Sequence, residues 1–477
     1  MSIIKNYIYN TLYQVMIMII PLITIPYLTR IFSPDQMGLN AYTLSIVNYF
    51  MLFGMLGMQM YGNRQVGYVR DDKEKLRKYF WSLYVTQIGT SLIAMVVYYL
   101  FVGIFIKENQ FIFLIQGLNM LTIILDISWL FMGLEDFKKV VIRNSTIKLV
   151  GLLSIFIFVR SSDDLIKYIL LTIFINVAGL IIMWAYIPKD IRKIEVDIAI
   201  IKETIFPLIR LFLPQISAQV YLLLSRTLIG ALSNNDQVAF YDYSQKIINI
   251  ILSLVASVGV VLLPRISNIL GQGKKEEMKK LVEQAFAFVS YVSIPMAFGL
   301  MGISKILISW FLDPKYYAVE NLTVVSSIII VAVNWANIIG MQYLVGTKQE
   351  NKYTMSIVIS GVINLIMNVI LIPKYGATGA VISIIEAEVL GIILQLIFVR
   401  KQLPVGRMLL GTGKYWIASI IMMFLVSYVG DFINNPILAN MIQVLVGGGF
   451  YLLVMFILKD KTQELVLSKV KGIIMRR

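Results

Sequence analysis

The sequence predicts an all-α integral membrane protein of fourteen transmembrane helices. Its 477 residues are 58% hydrophobic and only 14% charged, where a soluble protein would carry about 25% charged residues. Apolar runs of about 20 residues, enough to cross ~30 Å of hydrocarbon, recur from end to end. The runs are continuous rather than alternating, which argues against a transmembrane barrel. Helices remain, because a chain in lipid must satisfy its own backbone hydrogen bonds.

The predicted spans are 8–29, 38–60, 80–104, 111–132, 141–159, 165–186, 208–232, 238–262, 283–303, 322–345, 353–372, 377–399, 413–430 and 437–458. The first follows Lys5, contains Pro21 and Pro26, and lacks a small-residue cleavage site. It therefore reads as a retained helix rather than a signal peptide. The fifth carries Arg143 and Lys148 near its start, and Asn334 and Asn337 stand where the tenth would split.

Cation placement sets the expected orientation. With a cytoplasmic N-terminus, 33 of the 42 Lys and Arg fall in inner segments and 7 in outer ones. Both ends are thus expected in the cytoplasm of a bacterial inner membrane. The net charge of +15 then faces anionic lipid rather than nucleic acid. Between spans six and seven, Ile191, Ile194, Ile198, Ile201 and Ile205 recur at helical spacing among charges, predicting an amphipathic surface helix. Leu465, Val470, Ile473 and Ile474 repeat that pattern more weakly in the tail.

The chain also repeats itself. Asp35-Gln36 followed by Tyr42 reappears 201 residues later as Asp236-Gln237 followed by Tyr243, and Arg64 and Lys73 fall on Arg265 and Lys274. Spans 1–6 and 7–12 would then form equivalent lobes of the same polarity, an arrangement found in transporters. The expected layout is a first lobe over 1–186, an amphipathic linker over 187–206 and a second lobe over 207–400. Two more spans fill 401–458, and an amphipathic tail fills 459–477.

Charge inside the spans marks the candidate site, since a mid-bilayer charge costs at least ~2.5–3.5 kcal/mol and normally faces a cavity or a partner. Arg226 lies within span seven and Lys246 within span eight. Asp242, four residues before Lys246, shares its helix face and can neutralise it. The remaining acids are Asp126, Glu386 and Glu388, and the last two, being two apart, cannot share a face. Asn334, Asn337, Asn364 and Asn368 are interhelical hydrogen-bonding groups by default.

The chain has no cysteine and no histidine, so disulfides, thiolate chemistry and the commonest general base are excluded. It has no phosphate loop of the Gly-x-x-x-x-Gly-Lys-Ser/Thr type, and no outer loop exceeds about twenty residues. Movement of a solute, rather than catalysis, is the expected work.

TLYQVMIMIIPLITIPYLTRIF, FGMLGMQMYGNRQVGYVRDDKEKL, DISWLFMGLEDFKKVVIRN and NLIMNVILIPKYGATGAVIS together resemble the Wzx-type oligosaccharide flippases. These belong to the multidrug, oligosaccharidyl-lipid and polysaccharide exporter superfamily. The resemblance implies two six-helix lobes around a central cavity that opens alternately to each side, plus two C-terminal helices. It implies a polyprenyl-diphosphate-linked oligosaccharide as substrate, carried from inner to outer leaflet. It also implies work beside capsule, exopolysaccharide or O-antigen assembly proteins.

On that reading Arg226 and Lys246 would hold the diphosphate, with Arg64 and Arg265 gathering it at the mouth, because a guanidinium presents a planar donor fork to phosphate. Tyr221, Tyr241, Tyr243, Asn364 and Asn368 would contact sugars, while the prenyl tail stays in lipid. No resident cofactor is expected. Coupling to H+ or Na+ would fall to Glu386, Asp242 or Asp126. Relatives often place an acid directly before the span-seven cation, where this chain has Ser225. The alternatives are an ion-coupled multidrug exporter of the same superfamily, or a membrane polysaccharide polymerase or acyltransferase.

Overall fold

The computed structural model describes Met16, residues 19–256, Ile266, Asn268, Ile269, Gln272 and residues 274–474. Every regular element among them is helical, as the lipid environment requires. Ten of these helices are long and apolar enough to cross a membrane, and Ile19–Ile31 and Leu223–Leu232 are shorter apolar stretches. Outward-facing Ile93, Leu100 and Ile104 are more than half exposed, a surface suited to hydrocarbon and prone to aggregation in water. The chain divides into two compact units, Met1–Ala231 and Leu232–Arg477.

The first unit contains α1 (Ile19–Ile31), α2 (Pro34–Met55), α3 (Met58–Val69), α4 (Lys73–Phe105) and α5 (Gln110–Gln116). It continues with α6 (Met120–Leu125), α7 (Ser128–Gly133), α8 (Phe137–Phe158) and α9 (Leu165–Ala185), and ends with α10 (Ile198–Leu232). Ser33 begins α2: its Oγ accepts from Gln36 N at 3.3 Å, and Gln36 Oε1 accepts from Ser33 N at 3.0 Å. This reciprocal cap satisfies two helix-start donors. The same Gln36 amide donates from Nε2 to Ser162 O at 2.7 Å. One apolar cluster joins α2, α4 and α5 through Ile46, Tyr98 and Phe113. Another joins α3, α4, α7 and α9 through Val66, Phe80, Trp129 and Met183.

The linker departs from expectation. No helix covers Ile191 to Ile205. Residues 192–197 are irregular, and α10 starts at Ile198 and runs 35 residues without interruption into the predicted seventh span. The reason lies in local side chains. Arg77 Nε donates to Glu195 at 2.6 Å, with Lys78 Nζ 3.5 Å from the same carboxylate. Trp81 Nε1 donates to Ile191 O at 2.9 Å, and Ile191 is fully buried. Asp197 then caps α10 by accepting from Ala199 N at 2.8 Å. Partial burial pushes the Glu195 carboxyl up, but Arg77 and then Lys78 outweigh it and hold it below its ordinary value.

The second unit begins with α11 (Asn235–Ala256), capped where Asn234 Oδ1 accepts from Gln237 N at 3.0 Å. It continues through α12 (Lys275–Phe311), α13 (Ala318–Ser326), α14 (Ile329–Ala336) and a π-helical stretch, Asn337–Val345. The predicted tenth span therefore stays helical but changes winding at Asn337. Predicted spans eleven and twelve are the two arms of α15 (Glu350–Val399), separated by Gly376 at φ 55° and ψ −129°. There Gln237 Oε1 accepts from Ala377 N at 2.9 Å, and a Cβ on Gly376 would lie 2.6 Å from that oxygen. Only glycine fits.

The chain closes with α16 (Val405–Gly411), α17 (Gly413–Gly430), α18 (Pro436–Ile457) and α19 (Lys461–Ile474). A polar chain stitches this region to α12: Trp310 Nε1 donates to Asn440, Asn440 to Gln443, and Gln443 to Val426 O, each at 2.6–2.7 Å. Asp460 anchors the tail helix. It is almost fully buried, pairs with Lys414, accepts from Tyr415 Oη at 3.0 Å, and caps α19 through Gln463 N at 2.8 Å.

Candidate functional site

Two membrane helices of the first unit are broken, and the breaks are joined. The α2–α3 run turns at Leu56 and Gly57, whose φ values are +42° and +77°. A Cβ at Gly57 would stand 3.3 Å from both Leu208 O and Phe212 N of α10, so glycine serves both the left-handed turn and the close helix approach. Thr90 Oγ1 donates to Gly54 O at 2.7 Å, occupying a carbonyl at the break.

The second break falls at Asp126–Ile127, between α6 and α7. Its backbone carbonyls are taken by side chains. Gln87, fully buried on α4, donates from Nε2 to Ile123 O at 2.6 Å and Asp126 O at 2.9 Å. The Gln87 oxygen accepts from Trp129 Nε1 at 2.8 Å, and Trp184 Nε1 donates to Leu125 O at 3.0 Å. Irregular backbone at membrane depth is stable only where the surrounding protein supplies such partners.

Asp126 organises this break. One carboxylate oxygen accepts from Ser128 N at 2.8 Å and from the Ser128 hydroxyl, while the other accepts from Gln59 Nε2 at 2.6 Å. Arg143 Nη2 donates to Ser128 Oγ at 3.0 Å. The result is a polar line from Arg143 through Ser128 and Asp126 to Gln59. Gln59 in turn lines a cavity of about 400 Å3, together with Asn48, three methionines, Ile123 and Leu223. Discontinuous helices at a cavity are how transporter folds present polar groups inside a bilayer.

Arg226 lies on α10 three residues beyond the cavity-lining Leu223 and is half-buried. Its neighbour Ser225 is 2% exposed. Thr227 Oγ1 and Ser45 Oγ share a hydrogen bond at 2.9 Å, holding α10 against α2. Arg64 is exposed on α3, with its guanidinium 5.4 Å from the Tyr61 ring centroid. Arg265 and the Tyr221 side chain lie outside the described residues.

In the second unit Asp242 and Lys246 form the expected i, i+4 pair at 2.7 Å. The carboxylate side is 7% exposed and the ammonium side 41%. Lys246 Nζ also sits 4.6 Å from the Tyr243 ring centroid. Tyr241 and Tyr243 are both buried, and Tyr243 packs edge-on against Tyr316. Asn364 and Asn368 are fully buried, with Asn368 Nδ2 donating to Asn364 Oδ1 at 2.9 Å. Glu386 is exposed on α15, and Glu388 is half-buried. In this conformation, then, the candidate sugar contacts Tyr241, Tyr243, Asn364 and Asn368 sit inside helix packing. A separate cavity of about 420 Å3, almost wholly apolar, lies between α12, α17 and α18.

Sequence reasoning missed Gln59, Gln87 and Arg143. The first two are lone amides inside apolar runs, and the glycines beside Gln59 were the available signal. Arg143 reads from sequence only as a cation near the start of the fifth span.

These helix breaks sit within the stretch that a family model recognises. The model described as polysaccharide biosynthesis protein matches residues 3–270. The chain belongs to this family. A second model, MatE, matches residues 211–371. Among its relatives, the "Putative O-antigen transporter" of Escherichia coli is 21% identical over 407 residues. The alignment covers 84% of this chain and 98% of that one. A solved lipid II flippase MurJ, in an inward closed conformation, matches with a TM-score of 0.75 at 18% identity, over 96% of this chain and 99% of that one. An inward-facing multidrug resistance MATE family transporter matches with a TM-score of 0.60 at 13% identity, over 86% and 96%. At such identities the structural likeness establishes the fold, and the resemblance read from the motifs holds.

Proposed function

We propose that this protein is a flippase that carries polyprenyl-diphosphate-linked oligosaccharide repeat units from the inner to the outer leaflet by alternating access. It is a transporter, not an enzyme. The observation that carries the reading is Arg226, a half-buried guanidinium on an apolar helix in a chain of the polysaccharide biosynthesis family. A diphosphate cannot cross hydrocarbon alone, and a guanidinium fork suits its oxygens. The names of the O-antigen transporter and lipid II flippase relatives support the same substrate class. Lys246, already paired with Asp242, would assist, and Arg64 and Arg265 would gather the head group. The apolar cavity between α12, α17 and α18 suits a prenyl chain.

The termini are proposed to face the cytoplasm, on the strength of the cation bias. Coupling to a proton or sodium gradient would use Asp126, Asp242 or Glu386, and polysaccharide assembly proteins would act on either side of the step. Arg226→Ala tests the reading. The variant should insert at normal levels yet stop lipid-linked repeat units reaching the outer leaflet. Normal export by well-expressed Arg226→Ala would remove the diphosphate role, and efflux of cationic dyes would favour a multidrug exporter.

A further inference from the structure

We infer that the second unit holds a binding slot for an anionic membrane phospholipid, separate from the substrate path. The slot is a cavity of about 380 Å3 where the third and fourth turns of α12, the short α16 and the start of α19 meet. Its inner wall is apolar, formed by Phe286, Phe288, Met408 and Leu465, and Arg407 and Lys461 stand at its edge.

Its place in the fold puts it at the membrane–water boundary. At 37 residues α12 is about 55 Å long, well beyond ~30 Å of hydrocarbon. Its first turns carry the exposed charges Glu276, Glu277 and Lys280, so they project into water, and the apolar wall starts just past them. α19 is amphipathic and lies where an interfacial helix belongs.

The edge charges are available, and the position of Lys461 is fixed. The Arg407 side chain is 81% exposed and approaches Glu283 only at 3.9 Å. Lys461 is exposed. Lys414, at the start of α17, is already committed to buried Asp460. That pair, with the Tyr415 and Gln463 bonds to the same carboxylate, fixes the start of α19 and hence where Lys461 projects. Among the residues that line the slot, Arg407 and Lys461 against Glu283 leave the edge net positive.

Cations over an apolar slot match a phosphate joined to an acyl chain. The guanidinium and ammonium take the phosphate oxygens, and the chain fills a wall that a soluble phosphate would leave empty. A membrane phospholipid supplies both parts.

The test uses the purified full chain in detergent, titrated with dioleoyl phosphatidylglycerol, dioleoyl phosphatidylcholine or inorganic phosphate, with retention read by native mass spectrometry. Phosphatidylglycerol should be retained at least tenfold more tightly than phosphatidylcholine. Arg407→Gln with Lys461→Gln should abolish that difference while leaving phosphatidylcholine binding unchanged. Gly411→Leu, at a position lining the slot where an added Cβ meets open space, should weaken phosphatidylglycerol through the chain rather than the charge. Equal retention of the two lipids, or an unchanged preference in the double variant, overturns the inference. So does displacement of phosphatidylglycerol by inorganic phosphate at equal concentration, which would mark a small-anion site.

Discussion

Gln36 and Gln237, 201 residues apart, perform matching tasks in the two units. Each sits in the first turn of a helix that an Ser33 or Asn234 cap begins, and each sends its side-chain amide to a backbone turn far along the chain. Gln36 Nε2 donates to Ser162 O at 2.7 Å, just before α9, and Gln237 Oε1 accepts from Ala377 N at 2.9 Å, where α15 breaks. Those turns separate the fifth and sixth predicted spans of each half. The sequence offset therefore has a counterpart in hydrogen bonding, with the amide used once as donor and once as acceptor.

Gln237→Leu should leave the Ala377 N–H at the break without its acceptor, a loss of about 1–3 kcal/mol. Gln36→Leu removes the side-chain acceptor of Ser33 N and the Ser162 contact, while Ser33 Oγ keeps its bond from the backbone N–H of residue 36, a loss of about 1–2 kcal/mol. Unfolding midpoints of the two purified variants would measure this. Midpoints equal to the parent's would mean that neither amide holds its turn.

Gln87→Leu should be the more damaging change. Leucine fills similar space but abandons Ile123 O, Asp126 O and the Trp129 indole N–H together. Several buried groups left unpaired at about 1–3 kcal/mol each should sharply lower the yield of folded protein. Gln87→Glu restores an acceptor but not the donor, and should fall between. A Gln87→Leu protein with parental stability would show that the break has other support.

The fold was legible because lipid leaves few options. Continuous apolar runs gave helices close to where they stand, and the Asp242–Lys246 pair followed from i, i+4 spacing alone. The site was legible only in part. A broken helix such as α6–α7 reads as one apolar run, since hydropathy does not see the backbone turning at Asp126. Gln59 and Gln87 look like scattered polar residues until the fold brings them to that turn. Ile191 matched a helical stripe, yet Arg77, Trp81 and Ser82, whose Oγ accepts from Asp197 N at 2.9 Å, hold its segment irregular from more than a hundred residues earlier.

A double-mutant cycle on Asp242 and Lys246 separates structure from transport. Removing the ammonium alone takes the Lys246 contact from a nearly buried carboxylate, which costs more than removing both charges. Lys246→Met should therefore destabilise the protein, with Asp242→Asn/Lys246→Met recovering about 1 kcal/mol or more. Export that stays low in the recovered double variant would assign Lys246 or Asp242 a transport role. Export that returns with stability would make the pair structural.

The attachment of α19 should depend on pH through Asp460. Burial pushes this carboxyl up from its ordinary 3.8, but the hydrogen bond from Lys414, the Gln463 backbone N–H and the Tyr415 hydroxyl outweigh that and hold it lower. A carboxyl with a depressed folded-state pKa contributes stability that is fully present above its ordinary value, and that stability is lost as pH falls through the folded value. Hydrogen exchange of residues 461–474, corrected for intrinsic rates, should stay slow at about pH 6 and accelerate below roughly pH 4. Asp460→Asn cannot ionise, so it should remove the step. It should also leave α19 less protected at every pH, because Lys414 loses its anion and the helix keeps only a neutral cap. Exchange that is equally slow on both sides of that window in the parent would show that the apolar face of α19, not Asp460, fixes the tail helix in place.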